Sequence, residues 1–261
     1  MVPRRPPRPE WKRWLASWDR QQESFTPDRE ARFSLILDVL ESELPPRFTA
    51  LDLGSGPGSL AVRVVRRFPR ARVVAVDFDP VALQIGQGAL RSWADRIDWV
   101  DADLNRSEWT AALPAPRFDA ALSTTALHWL GRATLTRLYR DLYRRMKPGG
   151  ILLNGDYFPG PASPGGLRAL SRRVHAIRQS GPRRTGGWDS WREWWRSVEK
   201  EPRLAEAMQA RRRRFPHFHP STNALPVAWH ERAIRRAGFR DVGVVWQEFE
   251  DRLLFARRDG V

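Results

Sequence analysis

Four short stretches carry residue types suited to holding a charged, nucleotide-like ligand. The first is Asp52-Leu-Gly54-Ser55-Gly56-Pro-Gly58, inside Leu51–Ser59. Glycine reaches positive φ and lets the backbone approach a ligand with no Cβ in the way. The spacing is Gly54-x-Gly56-x-Gly58, with Ser59 where a dinucleotide fingerprint has its third glycine. An acid ahead of the glycines disfavours a pyrophosphate and suits a cation. The second stretch is Asp77-Phe78, with Asp77 19 residues after Gly58. A carboxylate there can accept both hydroxyls of a ribose. Its structural alternative is a helix cap, which Asp79-Pro80 can supply instead. The third is Asp103-Leu104, an acceptor for an exocyclic amine beside an apolar side chain for a ring face. The fourth is Ser123-Thr124-Thr125-Ala126-Leu127-His128. His128 has three readings: a base, a donor that orients the reacting group, or a packed side chain.

These stretches need a scaffold that brings them to one edge. The chain supplies strands alternating with helices, which predicts a parallel sheet with right-handed crossovers. Arg47–Leu53 reads as the first strand and Leu60–Phe68 as its helix. Arg72–Asp77 is an apolar run with little alternation, as a strand buried on both faces should be. Pro80 opens a helix to about Trp93. Ile97–Asp101 and Phe118–Ser123 are the next strands. A helix over 133–146 stops at Lys147-Pro-Gly-Gly150, and Ile151–Asn154 is the fifth strand. Val227–Ala237 is a helix closed by Gly238. Phe239–Gln247 and Asp251–Ala256 form an antiparallel hairpin. In such a sheet the ligand lies at the carboxyl ends of the strands, and the four stretches are those ends.

Around this body lie a proline- and arginine-rich tail over 1–9, expected to be disordered, and N-terminal helices over 10–46. The first helix shows Trp11, Trp14, Leu15 and Trp18 on one face; Thr26-Pro27 reads as the start of the second. Residues 157–225 break the rhythm with three helical patches. Trp188, Trp191, Trp194 and Trp195 recur at helical spacing, which suits packing this insert onto the body or forming an aromatic wall. Arg211–Arg214 reads as a solvated helix end, or as an anion clamp if it faces the cleft. His217-x-His219 lacks a third ligand at useful spacing, so no metal site is expected.

The ordered set of Asp52–Gly58, Asp77, Asp103 and the Ser123 segment, together with Leu127-His128-Trp129 and Lys147–Gly150, resembles the class I S-adenosylmethionine (SAM)-dependent methyltransferases, small-molecule branch. The resemblance covers about residues 25–156 and 226–258. It implies a Rossmann-like, doubly wound, seven-stranded α/β sheet with an antiparallel edge hairpin, N-terminal helices and a helical cap insert after strand five. It assigns the SAM-binding domain to 47–156 and 226–261, and a substrate cap to 157–225. By position it implies the methionine end of SAM at Asp52, Gly54, Ser55, Gly56 and Gly58. Ribose and adenine fall to Asp77, Phe78, Asp103 and Leu104, and Ser123-Thr124 lies near the sulfonium. His128 is the histidine it places near the methyl group.

Composition bounds the rest. The 261 residues include no cysteine, so there is neither a disulfide framework nor a cysteine metal site. No secretory or membrane-spanning apolar run is present, and a cytoplasmic protein is expected. The net charge of +15 is concentrated: residues 168–214 hold 14 basic and five acidic side chains. A local basic patch attracts anions. The expected function is methyl transfer to an O, N or C nucleophile of a small, anionic molecule. The alternatives are RNA as acceptor, using the basic insert and tail, and a SAM-binding protein without activity. A nicotinamide-binding oxidoreductase is a further alternative, disfavoured by Pro57 and the missing third glycine.

Overall fold

The computed structural model describes residues 11–23, 26, 28–160, 166–180, 191–216 and 223–260. The tail, Pro27, Trp188, His217 and His219 lie outside the described residues. The apolar runs form β1 (Thr49–Leu53), β2 (Arg72–Asp77), β3 (Ile97–Asp101), β4 (Phe118–Thr124), β5 (Met146–Tyr157), β6 (Arg240–Glu248) and β7 (Asp251–Arg257). They make one seven-stranded sheet in the order β3-β2-β1-β4-β5-β7-β6. β1 to β5 run parallel, while β7 runs antiparallel to both β5 and β6. The order reverses between β1 and β4, where an open α/β sheet leaves a crevice at its carboxyl edge.

Two apolar layers cover the sheet. On one face lie α1 (Trp11–Glu23), α2 (Arg29–Glu43), α3 (Ser59–Arg67) and α4 (Pro80–Ala89); on the other lie α5 (Arg132–Arg145) and α9 (Val227–Ala237). The central strands contribute Ala50, Leu53, Val73, Val76, Leu122 and Leu153, all fully buried. Pro80 sits in the first turn of α4, and the Asp79 carboxylate caps it by accepting the Val81 N–H at 3.0 Å. Gly238, at φ +114, closes α9.

Between β5 and α9 lie α6 (Leu167–Ser180), α7 (Trp191–Glu199) and α8 (Ala205–Arg214). The tryptophan spacing acts here. Trp194 is fully buried, with Trp18 at 5.0 Å and Trp14 at 6.1 Å edge-on, and its indole N–H donates to Ser17 Oγ at 3.0 Å. Burying an indole removes on the order of 200 Å2 from water, at most about 5 kcal/mol. α7 is thereby fastened to α1.

Two local expectations are corrected. Thr26 does not open α2; its N–H donates to Gln22 O at 3.0 Å and so extends the end of α1. The cap position belongs to Asp28, at φ 57, with no side-chain cap bond. Lys147–Gly150 is not a break before the fifth strand but part of it. Phe118 pairs with Met146 and Ala120 with Ile151, so an irregularity in the ladder absorbs the extra residues.

A second buried polar pair fixes α5 to α9. The Tyr139 hydroxyl lies 2.6 Å from His230 Nδ1. Burial pushes the His230 pKa down to about 4. The folded value is depressed, so its stabilising effect is complete above pH 6.5 and is lost as the pH falls toward 4. Relative to a His230→Gln variant, the wild type is expected to lose about 3 kcal/mol across that window. Urea unfolding of both proteins at several pH values checks this. The comparison is between variants because Asp52 and Asp77, whose folded values are raised, shift stability in the opposite sense.

Candidate active site

The carboxyl edge of the sheet opens into a cavity of about 1240 Å3. One small ligand usually occupies about 300–1,000 Å3, so this space suits a cofactor and an acceptor together. Gly54, Gly56, Asp77, Phe78, Asp103, Leu104 and His128 all line it, seven of the twelve residues singled out in the sequence. Asp52, Ser55, Gly58, Ser123 and Thr124 do not line it. Ser123 is fully buried and its hydroxyl donates to Leu53 O at 2.9 Å, tying β4 to β1. Thr125 and Ala126 line the cavity beside it instead.

The glycine turn is a cradle. Gly54, Gly56 and Gly58 all have positive φ. A Cβ on Gly56 would lie 3.5 Å from the Trp18 ring, so α1 roofs the turn closely. Asp52 lies beneath it, 2 % exposed, and its Oδ2 has no hydrogen-bond partner. Burial first, and the Asp77 charge second, push the Asp52 carboxyl up to about 7, against a backbone amide at Ala61 and the Arg29 charge. Asp77 is held by three amides: Oδ2 accepts from Gly56 N at 2.7 Å, and Oδ1 from Phe78 N and Asp79 N at 2.7 and 2.8 Å. Burial still pushes it up to about 6, helped by Asp79. A buried, poorly compensated pair of acids beside an open turn attracts a cation. Asp103 Oδ1 accepts from Asn105 N and Nδ2 at 2.9 and 3.0 Å, and Leu104 lies next to it in the cavity wall.

His128 has a partner that the sequence did not flag. Its Nδ1 lies 2.6 Å from Asp156 Oδ1, and its backbone N–H donates to Asp156 Oδ2 at 3.0 Å. Asp156 is 1 % exposed. Its Oδ1 also accepts the Tyr157 N–H at 2.9 Å. Burial opposes the charged imidazole, but the Asp156 charge and hydrogen bond outweigh it and raise the His128 pKa. Burial likewise opposes the Asp156 anion, and His128 outweighs it, so the Asp156 pKa is lowered. A carboxylate at Nδ1 makes that nitrogen the donor and leaves Nε2 with its lone pair. The signal was an acid at the end of strand five, the same rule that singled out Asp77.

Two of the four arginines that end α8, Arg211 and Arg214, turn inward, which corrects the solvated-end expectation for them, while Arg212 and Arg213 are exposed as that reading expects. Arg211 Nε donates to Asp79 Oδ2 at 2.6 Å, and its guanidinium stacks 3.8 Å over Trp195. Arg214 makes a bidentate pair with Asp101 at 2.6 and 2.7 Å and lies 4.7 Å over the Phe78 ring. The acid that caps α4 and the acid that ends β3 thus pin α8 over Phe78, and neither arginine is an open anion clamp. Among the described residues no cluster of ligating side chains could hold a metal ion, and no helix is long and apolar enough to cross a membrane.

With this geometry, similarity to known proteins has a structural counterpart. Residues 50–150 match the model of a methyltransferase domain. The chain is 33 % identical over 139 residues to the trans-aconitate 2-methyltransferase of Azoarcus sp. strain BH72, an alignment of 53 % of this chain and 50 % of that protein. It is 32 % identical over 178 residues to the demethylmenaquinone methyltransferase of Thermus thermophilus, covering 67 % of this chain and 75 % of the relative. The chain thus spans half the length of the first of these relatives. Among solved structures, the S-adenosylmethionine-dependent methyltransferase SibL superposes with a TM-score of 0.52 at 20 % identity, over 88 % of this chain and 56 % of that one. At that identity the likeness is one of fold.

Proposed function

The chain belongs to the class I SAM-dependent methyltransferases, and from that premise we propose that it methylates a proton-bearing nucleophile on a small molecule, with His128 as the base. The observation that carries this reading is the 2.6 Å contact between His128 Nδ1 and buried Asp156, beside a cavity large enough for two ligands. SAM, when bound, supplies an activated methyl group that needs no further activation by the protein. The cradle at Gly54 and Gly56 and the unpartnered Asp52 Oδ2 fit its cationic methionine end. Asp77 and Phe78 would hold its ribose and adenine, with Asp103 and Leu104 at the ring edge. α6, α7 and α8 would cap the acceptor.

Methyl transfer is an in-line displacement, so the chain's task is orientation and exclusion of water. α1 and α7 shield the cradle through Trp18 and Trp191, whose rings meet at 5.6 Å. An acceptor hydroxyl or amine that must lose its proton needs a base within hydrogen-bond reach. Neutral His128, oriented by Asp156, offers Nε2 for that proton.

The cofactor assignment has a pH signature. A cation near Asp52 and Asp77 favours their ionised forms and lowers both raised values. SAM binding is therefore expected to release protons between about pH 5 and 7, and to weaken as the pH falls below about 7. Calorimetry at pH 6.5 in two buffers of different ionisation enthalpy measures the release. NAD serves as the control ligand. Tight NAD binding with no SAM binding would sink the proposed function.

A further inference from the structure

Resting on that function, we propose that the acceptor carries an oxyanion separate from the atom that is methylated, bound by Arg168, Ser171 and Arg172 on α6. All three line the cavity that holds His128, at i, i+3 and i+4 on one helix face. Arg168 and Arg172 are exposed, line the cavity, and make no ion pair or hydrogen bond among the described residues. Ser171 is 5 % exposed, lines the same wall, and its hydroxyl has no partner among the described residues.

Charge balance separates this wall from the rest of the cavity. Arg211 and Arg214 are neutralised by Asp79 and Asp101. Glu250 and Asp251 also line the space, but each has an arginine acting on it electrostatically, Arg252 and Arg32 respectively. Among the described arginines that line the cavity, only the α6 pair has no carboxylate partner. Arg168 also sits in the first turn of α6, which contains no acid. A cation at the positive end of a helix dipole is unfavourable by itself. An anion received there is stabilised by both the guanidinium groups and the dipole. Two forked donors and a hydroxyl suit the several acceptor oxygens of a carboxylate or a phosphate.

The base constrains the other end of the molecule. A carboxylate is already ionised at neutral pH and would need no base to be methylated. A hydroxyl retains its proton and does. The lone pair of the acceptor oxygen forms the bond to the transferred methyl carbon, the electrons of the broken bond remain on the departing sulfur, and the proton passes to His128 Nε2. The acceptor class is thus a hydroxy acid or hydroxyl-bearing phosphate ester, its anion on α6 and its hydroxyl at His128.

The test uses small oxyanions with the full chain and SAM present. Inorganic phosphate and acetate are titrated at constant ionic strength by calorimetry, with methyl acetate as the neutral control. One or both anions are expected to bind saturably in the millimolar range, and methyl acetate is not. The tighter anion identifies the class, carboxylate or phosphate. The Arg168→Gln/Arg172→Gln double variant is expected to bind that anion at least about tenfold more weakly, with unchanged SAM affinity. Arg→Lys at both positions should recover part of the loss. No saturable anion binding in the wild type, or equal binding in the double variant, overturns the α6 assignment. Loss of SAM binding in the wild type is a different result and refutes the methyltransferase function instead.

Discussion

The Asp156→Asn variant is expected to lose about 10²- to 10⁴-fold in kcat while keeping its SAM affinity. The reason is a count of acceptors. The carboxylate uses both oxygens: Oδ2 for the His128 backbone N–H, and Oδ1 for Nδ1 and the Tyr157 N–H. An amide has one acceptor oxygen. If that oxygen faces Nδ1, the amide nitrogen faces the His128 N–H and a buried donor is orphaned. If the amide is turned round, its N–H groups face Nδ1, which must then accept, and the proton moves to Nε2, where a base needs a lone pair. Removing the charge also lowers the His128 pKa, because the Asp156 anion is what raises it above the ordinary histidine value. The acid limb of the pH–rate profile should therefore move to lower pH as the maximal rate falls. His128→Gln should cost a similar factor, and the double variant little more, because the two residues act as one unit. Histidine 15N spectra report the tautomer directly and need no acceptor. A wild-type-like tautomer and kcat in Asp156→Asn would refute the base.

Gly54→Ala should abolish measurable SAM binding and destabilise the fold by about 2–5 kcal/mol. Two costs coincide. Gly54 lies at φ +64, where an L side chain is strained, and its Cβ would sit 2.4 Å from Ala126 Cβ. Relief requires separation of the β1 turn from the segment after β4. That turn is itself fixed by Ser55 N–H donating to Val76 O and Gly58 N–H to Ser55 O, both at 3.0 Å. Gly54 and Ala126 both line the cavity, so a strain shared between them moves the cradle and the approach to His128 together. Gly243→Ala is the matched control: it has ordinary φ and no atom within 4 Å of the added Cβ, and should be near neutral. Urea unfolding and calorimetry on the two variants check both effects. Wild-type stability and affinity in Gly54→Ala would show that the turn yields without cost.

Much of this was legible because it is local. Apolar runs of five or six residues, a proline at the start of α4, a glycine closing α9 and a glycine-rich turn each depend on neighbours within a few positions. The rule that ligands gather at strand ends then selected Gly54, Gly56, Asp77, Phe78, Asp103, Leu104 and His128 before any contact was known. The same rule passed over Asp156 because the fifth strand was expected to end at Asn154. The strand continues to Tyr157 through pairing with β7, which joins Gly155 to Leu253 and Asp156 to Arg252. Ladder extension by a partner about a hundred residues away leaves no trace in a local pattern.

The sequence by itself determined the strand–helix alternation, the carboxyl-edge location of the site and the family, because backbone conformation and burial are encoded at short range. Only the tertiary structure decided how the charged groups are paired. The parallel register that sets Thr124 beside Gly155 carries the chain after β4 toward Asp156, and so gives His128 its carboxylate. α7 docks on α1 through Trp194 and α8 packs on α4, where Arg211 and Arg214 reach Asp79 and Asp101. Electrostatic pairing depends on separations of a few ångströms between residues 28 to 132 positions apart, and those separations are set by packing alone. Composition announced an excess of arginine; the fold neutralised two of those that reach the cavity from α8 and left the pair on α6 with no carboxylate partner among the described residues.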